Sequence, residues 1–411
     1  MPDKNRAIFE KADFLLNHFP ALMILGVRQV GKTTLAKQLR PNWYYLDLEK
    51  PHDFQLISSD PEFFLSRHPD QLILDEAQEY STLFKILRGV IDQNRAQKGR
   101  FIITGSSSPD LLKQASESLA GRIAIIELST FKISEYYDYP LSDFYKIFET
   151  TSLNKEALPE GNPPLTREQI HKIWLLGGYP EAITAKSSII YSLWMENYQT
   201  TYLYRDIARL FPRLNKVAFQ RFLTMLGGLS GTILNRAELA RILEISEPTV
   251  KEYLAIAEGT FLWRQLPSYE KNISKSIVKM SKGHLADTGL LHHILKITSL
   301  DTLYAHPVVG RSFEGFVVEE MLKGLQATLS TNWDYHYYRT RNGAEIDLIL
   351  EGSFGVLPIE IKYGTQINLR QLKSLTTFVS ENRLAFGLLI NQGERAEWIS
   401  PYIFQLPIGW L

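Results

Sequence analysis

Five short apolar runs set the pattern of the first part of the chain: ALMILG, WYYLDLE, QLILDE, RFIITG and RIAIIEL. Each is too short for a buried helix and is bounded by polar or glycine-containing segments, so each reads as a buried strand. Between them, KTTLAKQLR and its counterparts continue at helical spacing, and strands alternating with helices predict a parallel α/β sheet. The N-terminal stretch MPDKNRAIFEKADFLLNHF mixes acids among its apolar residues and reads as an amphipathic helix, not a secretory leader. Residues near 165–210 read as helices. Further on, NRAELARILEISEPTVKEYLAIAEGTFLWRQL gives helix, tight turn, helix and strand, with Asn235 as cap and a proline in the second helix's first turn. GRSFEGFVVEEML is a helix that buries Phe313, Phe316 and Val317, while EIDLILEG and GVLPIEIKYG are strands.

Composition narrows the class. The chain has 411 residues, 45% of them hydrophobic and 22% charged, which suits several soluble cores. Lys+Arg and Asp+Glu both number 45, so a nucleic-acid surface would have to be a local patch. The lack of cysteine excludes disulfides, thiolate zinc sites and a cysteine nucleophile. No apolar run is long enough to span a membrane, and the cytoplasm is the expected location.

Gly26, Gly31, Lys32 and Thr33 fit G-x-x-x-x-G-K-[ST] between a strand and a helix, the setting of a phosphate-binding loop. The expected cofactors are ATP and Mg²⁺. Backbone N–H groups of the loop, with Arg28 in it, would face the phosphates. Lys32 would reach the β/γ-phosphates, Thr33 would ligate Mg²⁺, and Thr34 would lie near the α-phosphate. Asp75 and Glu76 end the QLILDE strand as expected of the acids that hold the metal and prepare the attacking water.

GVRQVGKTTLAKQL, LILDEAQ, ITGSSS and LAGRIAIIEL resemble the AAA-like ATPases of bacteria and archaea that carry a C-terminal domain of unknown function. LLGGYPEAI, TTYLYRDIARL, FLWRQLPSY, KMSKGHLADTGLL, GRSFEGFVVEEML, YYRTRNGAEIDLIL and IEIKYG extend the resemblance over nearly the whole chain. It implies a polar residue at the end of the fourth strand that positions water: Ser106 is preferred over Thr104 and Ser107, with an ordinary helix start as the alternative. It implies that Arg122 reaches a neighbouring subunit's nucleotide, hence a homo-oligomer, unless Arg122 is a plain surface residue. It implies a helical lid, in which Arg205 either senses phosphates or pairs with Asp206 at the surface.

The helix–turn–helix and following strand predict a winged helix, with Thr249 and Lys251 near the start of the reading helix and lysine-rich YEKNISKSIVKMSK as a basic wing. Glu247 and Glu252 argue against phosphate contact, so DNA binding and packing both stay open. At the C-terminus, Asp347 followed by Glu360-x-Lys362 resembles the restriction-endonuclease-like fold. There Asp347, Glu360 and Glu314 would hold a metal, Lys362 would act in catalysis, and Gln371 would support the site. The alternative is a fold kept without catalysis.

The expected fold class is thus multidomain α/β: an AAA-type parallel-sheet ATPase core (1–130), a helical lid or linker (131–215), a winged-helix-like domain (216–295) and a restriction-endonuclease-like domain (300–411). Its proline-rich stretch between Tyr139 and Gln169 is expected to be an exposed connection. The expected role is ATP hydrolysis coupled to DNA binding or processing. The alternative is a nucleotide-dependent switch of oligomerisation or signalling through a protein partner.

Overall fold

The computed structural model describes residues 4–106, 109–207, 211, 214–270, 280–340, 343–365 and 368–411, without the side chains of residues 106–113. These residues form two compact units. The first holds the chain up to Thr130 together with Gly259–Phe261; the second holds Phe131–Glu258 and Leu262–Leu411.

In the first unit, strands β1 (Ala21–Gly26), β2 (Tyr44–Asp47), β3 (Leu72–Asp75), β4 (Phe101–Ser106) and β5 (Ile123–Glu127) form one sheet in the order β2-β3-β4-β1-β5. All its pairings are parallel. Strands buried on both faces need no polar alternation, which is why ALMILG is apolar throughout and fully buried. Leu25, Leu74 and Ile103 share its core with Leu83, Leu87 and Ile91 of the helix Leu83–Gln93.

The second unit carries two sheets. Strands β6 (Thr232–Ile233), β7 (Trp263–Leu266) and β8 (Lys282–Leu285) form an antiparallel sheet in the order β6-β8-β7. Helices Lys216–Leu229, Arg236–Leu243 and Glu247–Gly259 precede or interleave with it. Asn235 caps the second of these by accepting from the Glu238 N–H, as its position in the sequence implies. The larger sheet is mixed, in the order β13-β14-β12-β11-β10-β9, built from β9 (Asp334–Arg339), β10 (Glu345–Gly352), β11 (Gly355–Ile361), β12 (Gly387–Asn391), β13 (Glu397–Ser400) and β14 (Ile403–Pro407). Leu348, Leu350, Ile359 and Leu388 share one core with Phe313, Val317 and Met321 of the helix Val309–Ala327. Ile346, Ile349 and Leu389 share another with Leu375, Phe378 and Val379 of the helix Lys373–Glu381.

The stretch expected to be an exposed connection is not one throughout. Phe144, Tyr145, Ile147 and Phe148 lie on a 3₁₀ segment, Asp143–Glu149, and are buried in the core of the second unit. A four-aromatic-and-aliphatic cluster at threefold spacing suits a 3₁₀ turn, and the surrounding prolines and glycine mark irregular backbone, not exposure. The segment near 165–210 is helical: Arg167–Leu176, Pro180–Ile183 and Ser188–Tyr198, followed by a π-helical stretch Gln199–Asp206 on which Arg205 is exposed. Ile170, Ile173 and Trp174 of the first of these are in the second unit's core.

The helix Val309–Ala327 is tied to three other segments by buried charge. Glu319 accepts from Arg264 at 3.0 and 3.2 Å and from His284 at 2.9 Å. Burial alone would raise the Glu319 carboxyl, but the guanidinium and imidazole hold it well below the usual range. Glu320, fully buried, accepts from the Ile133 N–H at 3.1 Å and faces Lys132, whose ammonium also donates to the Glu320 carbonyl at 2.7 Å and the Tyr145 hydroxyl at 3.2 Å. Burial lowers the Lys132 ammonium, and Glu320 opposes that. Removing one member of such a pair strands the other charge in the core. Glu320→Ala is expected to destabilise the second unit by about 3–5 kcal/mol, measured by urea denaturation; a loss under ~1 kcal/mol would mean that water reaches Lys132.

Candidate functional site

The phosphate loop runs from the end of β1 into the helix Lys32–Leu39. Gly26 is required by close approach: a Cβ there would lie 2.1 Å from the Leu128 carbonyl oxygen. Gln29 (φ 68°) and Gly31 (φ 94°) are left-handed, and no side chain caps the helix start, so its first N–H groups face the loop. Lys32 is buried and donates to the Gly26 and Val27 carbonyls at 3.1 Å each. Burial lowers its ammonium, while Glu76 and Asp75 pull the other way. Thr34 is exposed on the first helical turn, and Arg28 pairs with Glu49 at 3.6 Å.

Asp75 gathers the site. Its Oδ2 accepts from the Thr33 hydroxyl and from the Tyr45 hydroxyl, both at 2.7 Å, and its Oδ1 accepts from Thr104. The parallel pairings β2-β3 and β3-β4 bring these residues to the same sheet edge. A threonine hydroxyl against a buried aspartate beside a helix N-terminus without a side-chain cap would suit a magnesium-bound nucleotide. Glu76 follows at φ 54°, ψ 51°, a left-handed conformation unusual for glutamate, which turns it out of the strand line, and Gln78 donates to it at 2.7 Å. Sequence reasoning missed Tyr45; burial and Asp75 push its phenol well up. It also ranked Ser106 above Thr104, yet the fully buried Thr104 is the residue held by Asp75. Ser106 ends β4, but its side chain, like Ser107, lies outside the described residues.

Arg122 is at the other edge. It precedes β5, and its carbonyl accepts from the Ala21 N–H at the start of β1. The length of β1 puts roughly 16 Å between it and the loop. Its guanidinium grips Asp92 through both oxygens, at 2.7 and 2.9 Å.

The second cluster lies on the mixed sheet. Asp347 occupies a bulge in β10, where the pairing with β9 slips between Ile346 and Ile349. The bulge aims its carboxylate along the sheet, where Oδ2 accepts from the Ile361 N–H at 2.8 Å. Glu360 is the next position beyond the Leu348–Ile359 pair and contacts Lys362 at 2.5 Å, so the two share a face as strand alternation requires. Glu314 joins them from the helix Val309–Ala327. Burial and the neighbouring Asp347 push both the Glu314 and the Glu360 carboxyls up to about 8, against the pull of Lys282 and Lys362 respectively.

Two expectations need correction here. Lys282, read as the end of a basic wing, is buried with its ammonium 2.6 Å from Glu314, 3.0 Å from Glu345 and 3.6 Å from Asp347. Lys271–Lys279 of that wing lie outside the described residues. Gln371 is exposed, and its side chain accepts from the Asn368 N–H to cap a 3₁₀ turn. Among the described residues no three acids form a metal-binding group; Glu314 faces Lys282, which leaves Asp347 and Glu360 as the pair open to a metal. Hydrated Mg²⁺ or Mn²⁺ held by two carboxylates fits that pair.

The family model matched by the first unit agrees with a nucleotide site. Residues 18–137 match the family described as AAA domain, 167–301 a domain of unknown function (DUF8612), and 309–411 another (DUF4143). The uncharacterized protein Rv2008c of Mycobacterium tuberculosis is 33% identical over 95% of this chain and 81% of its own length, and Mb2031c of Mycobacterium bovis matches equally. A Walker-type ATPase of Pyrococcus abyssi covers 70% of this chain and 94% of its own at 16% identity, with a TM-score of 0.40, too low to carry function across. Among the described residues no helix is long and apolar enough to cross a membrane.

Two outcomes follow from the geometry. Gly26→Ala is expected to abolish nucleotide binding, read by titration of a fluorescent ATP analogue; retained binding would mean that the Leu128 carbonyl yields. A carboxyl titrating near 8 must lose its proton before it ligates a cation. Mn²⁺ affinity at the Asp347–Glu360 pair is therefore expected to rise from pH 6.5 to 8 and level off above, with protons released on binding, as calorimetry in two buffers would register. The AAA domain and the match over 95% of this chain together settle membership: the chain belongs to the family of AAA-domain proteins that includes these two mycobacterial relatives.

Proposed function

We propose that this protein hydrolyses ATP with Mg²⁺ and uses the nucleotide state to control DNA binding or processing by its second unit. The observation that carries the reading is the Asp75 network: Thr33, Tyr45 and Thr104 converge on one carboxylate beside the loop that holds Lys32. In this reading Lys32 and the loop N–H groups hold the phosphates, Thr33 and Asp75 hold the metal, and Glu76 takes the proton of the attacking water. Bound Mg²⁺ would neutralise charge on the phosphates. Arg122 acts on a neighbouring copy, exchanging Asp92 for a phosphoryl oxygen.

The DNA part of the reading is supported by element order. A helix, β6, two helices, then β7 and β8 paired as β6-β8-β7 is the order of a winged helix. Its reading helix exposes Lys251, but also Glu247 and Glu252, and the Thr249 hydroxyl is committed to Ser246 at 2.8 Å. The mixed sheet with Asp347, Glu360 and Lys362 supports a restriction-endonuclease-like domain that holds a metal. A second reading, nucleotide-controlled oligomerisation acting on a protein partner, is favoured by the acids on the reading helix and by the place of Arg122.

The test is ATP turnover by the full chain with single-stranded, duplex and branched DNA. Glu76→Gln is expected to lower turnover by roughly 10²-fold or more, and one DNA form to raise it in the unaltered protein. Turnover untouched in Glu76→Gln would refute the assigned base. Turnover indifferent to every DNA would favour the protein-partner switch. Mn²⁺-dependent cleavage that persists in Asp347→Asn would remove the nuclease assignment.

A further inference from the structure

Lys282 enters the carboxylate cluster from β8, a strand of the other sheet, far from the acids in sequence. Its ammonium hydrogen-bonds Glu314 at 2.6 Å and Glu345 at 3.0 Å and forms an ion pair with Asp347 at 3.6 Å. The group is nearly sealed from solvent, with Lys282 5% exposed. Glu360 Oε2, by contrast, is buried and has no hydrogen-bond partner among the described residues. Asp347 spends Oδ2 on the Ile361 N–H, and its Oδ1 faces the cluster. Lys282 thus serves one side of the cluster, while on the other Lys362 takes Glu360 Oε1 and leaves Oε2 bare.

Charge balance points the same way. When all are ionised, the four carboxylates Glu314, Glu345, Asp347 and Glu360 stand against the two ammoniums of Lys282 and Lys362, leaving the charge that one divalent ion cancels. A second divalent ion would find its ligands occupied.

We propose that Lys282 is a resident cation standing where a second metal would bind, so that the cluster takes one divalent ion, at Asp347 and Glu360. The proposal rests on the metal-binding reading of those two residues and adds its stoichiometry and the residue that sets it. Because β8 is bonded to β6 and β7, that residue is delivered by the three-stranded sheet, and the occupancy of the metal site depends on the sheet's position. A hydrated divalent ion bound to two carboxylates keeps room for a phosphodiester oxygen in its shell, which is the ligand class a one-metal site of this kind accepts.

The experiment counts Mn²⁺ bound to the nucleotide-free full chain by electron paramagnetic resonance, with Asp347→Asn as the blank so that ions held elsewhere cancel. The unaltered protein is expected to hold one ion more than the blank, and Lys282→Met two more. One ion in both proteins with equal affinity would overturn the role of Lys282, as would two in the unaltered protein. If the unaltered protein holds no more than the blank, the metal-binding reading itself fails, a distinct result that also removes this proposal. Should Lys282→Met melt before it can be measured, Glu314→Gln gives a second test. Glu314 serves Lys282 and not the metal, so the count must stay at one, with affinity weakened only by the loss of one nearby negative charge; loss of the ion would overturn the assignment.

Discussion

The second unit is organised by charges that cannot be left alone in a core. Glu320 and Lys132 are both shut off from water and are stabilised by each other, with Lys323 3.6 Å from the Glu320 carboxylate. Their partners, the Ile133 N–H and the Tyr145 hydroxyl, come from the chain just after the first unit ends. The preceding residue, Glu319, fixes β7 and β8 through Arg264 and His284. Further along the same helix, Glu314 receives Lys282. A helix that reads from its sequence as an apolar core element thus holds three segments in register through its acids. Apolar packing alone would allow sliding; a buried, geometrically specific ion pair does not.

Sequence continuity gives this anchor a functional meaning. Leu128, whose carbonyl presses on Gly26 at the head of the phosphate loop, lies four residues before Lys132. Arg6 adds to the same contact from the other side, donating to the carbonyls of Val30 in the loop and Ser129, at 2.8 and 2.5 Å. A change in the loop on nucleotide binding bears on Leu128 and Ser129, and the chain leaving them is fixed within a few residues to Glu320. The account needs no wire through the protein. It needs only that the chain be held on each side of Thr130, by Gly26 and Arg6 before it and by Glu320 after it.

Much of the first site was legible because its chemistry is local. The loop, its lysine and threonine, and the strand-terminal Asp75-Glu76 lie in short runs whose strand–loop–helix setting follows from the spacing of apolar residues. What escaped was the company of Asp75: Tyr45 and Thr104 reach it through strand neighbours, and sheet order is not written in any one run. In the second unit, strand alternation put Glu360 and Lys362 on one face correctly. The bulge that aims Asp347 had no sequence signal, since Ile346 and Leu348 look like ordinary strand neighbours. Lys282 was hidden for a different reason. It ends a lysine-rich stretch, and composition assigned it to a solvated wing when its fate is decided by three acids from other elements. The 3₁₀ segment at Asp143–Glu149 was masked by the prolines that follow it, and Gln371 by its nearness to the second strand, although its own N-cap duty is local.

The central claim, that the nucleotide state of the first unit is felt along the helix Val309–Ala327, is tested most directly by hydrogen exchange of that helix in Glu76→Gln protein with and without ATP and Mg²⁺. The account predicts that saturating ATP changes the exchange of amides around Glu319 and Glu320 by about tenfold or more, with a smaller change in the helix Lys373–Glu381 on the opposite face of the sheet. Unchanged exchange at Glu319 and Glu320, in protein shown by titration to be fully loaded with nucleotide, would contradict it.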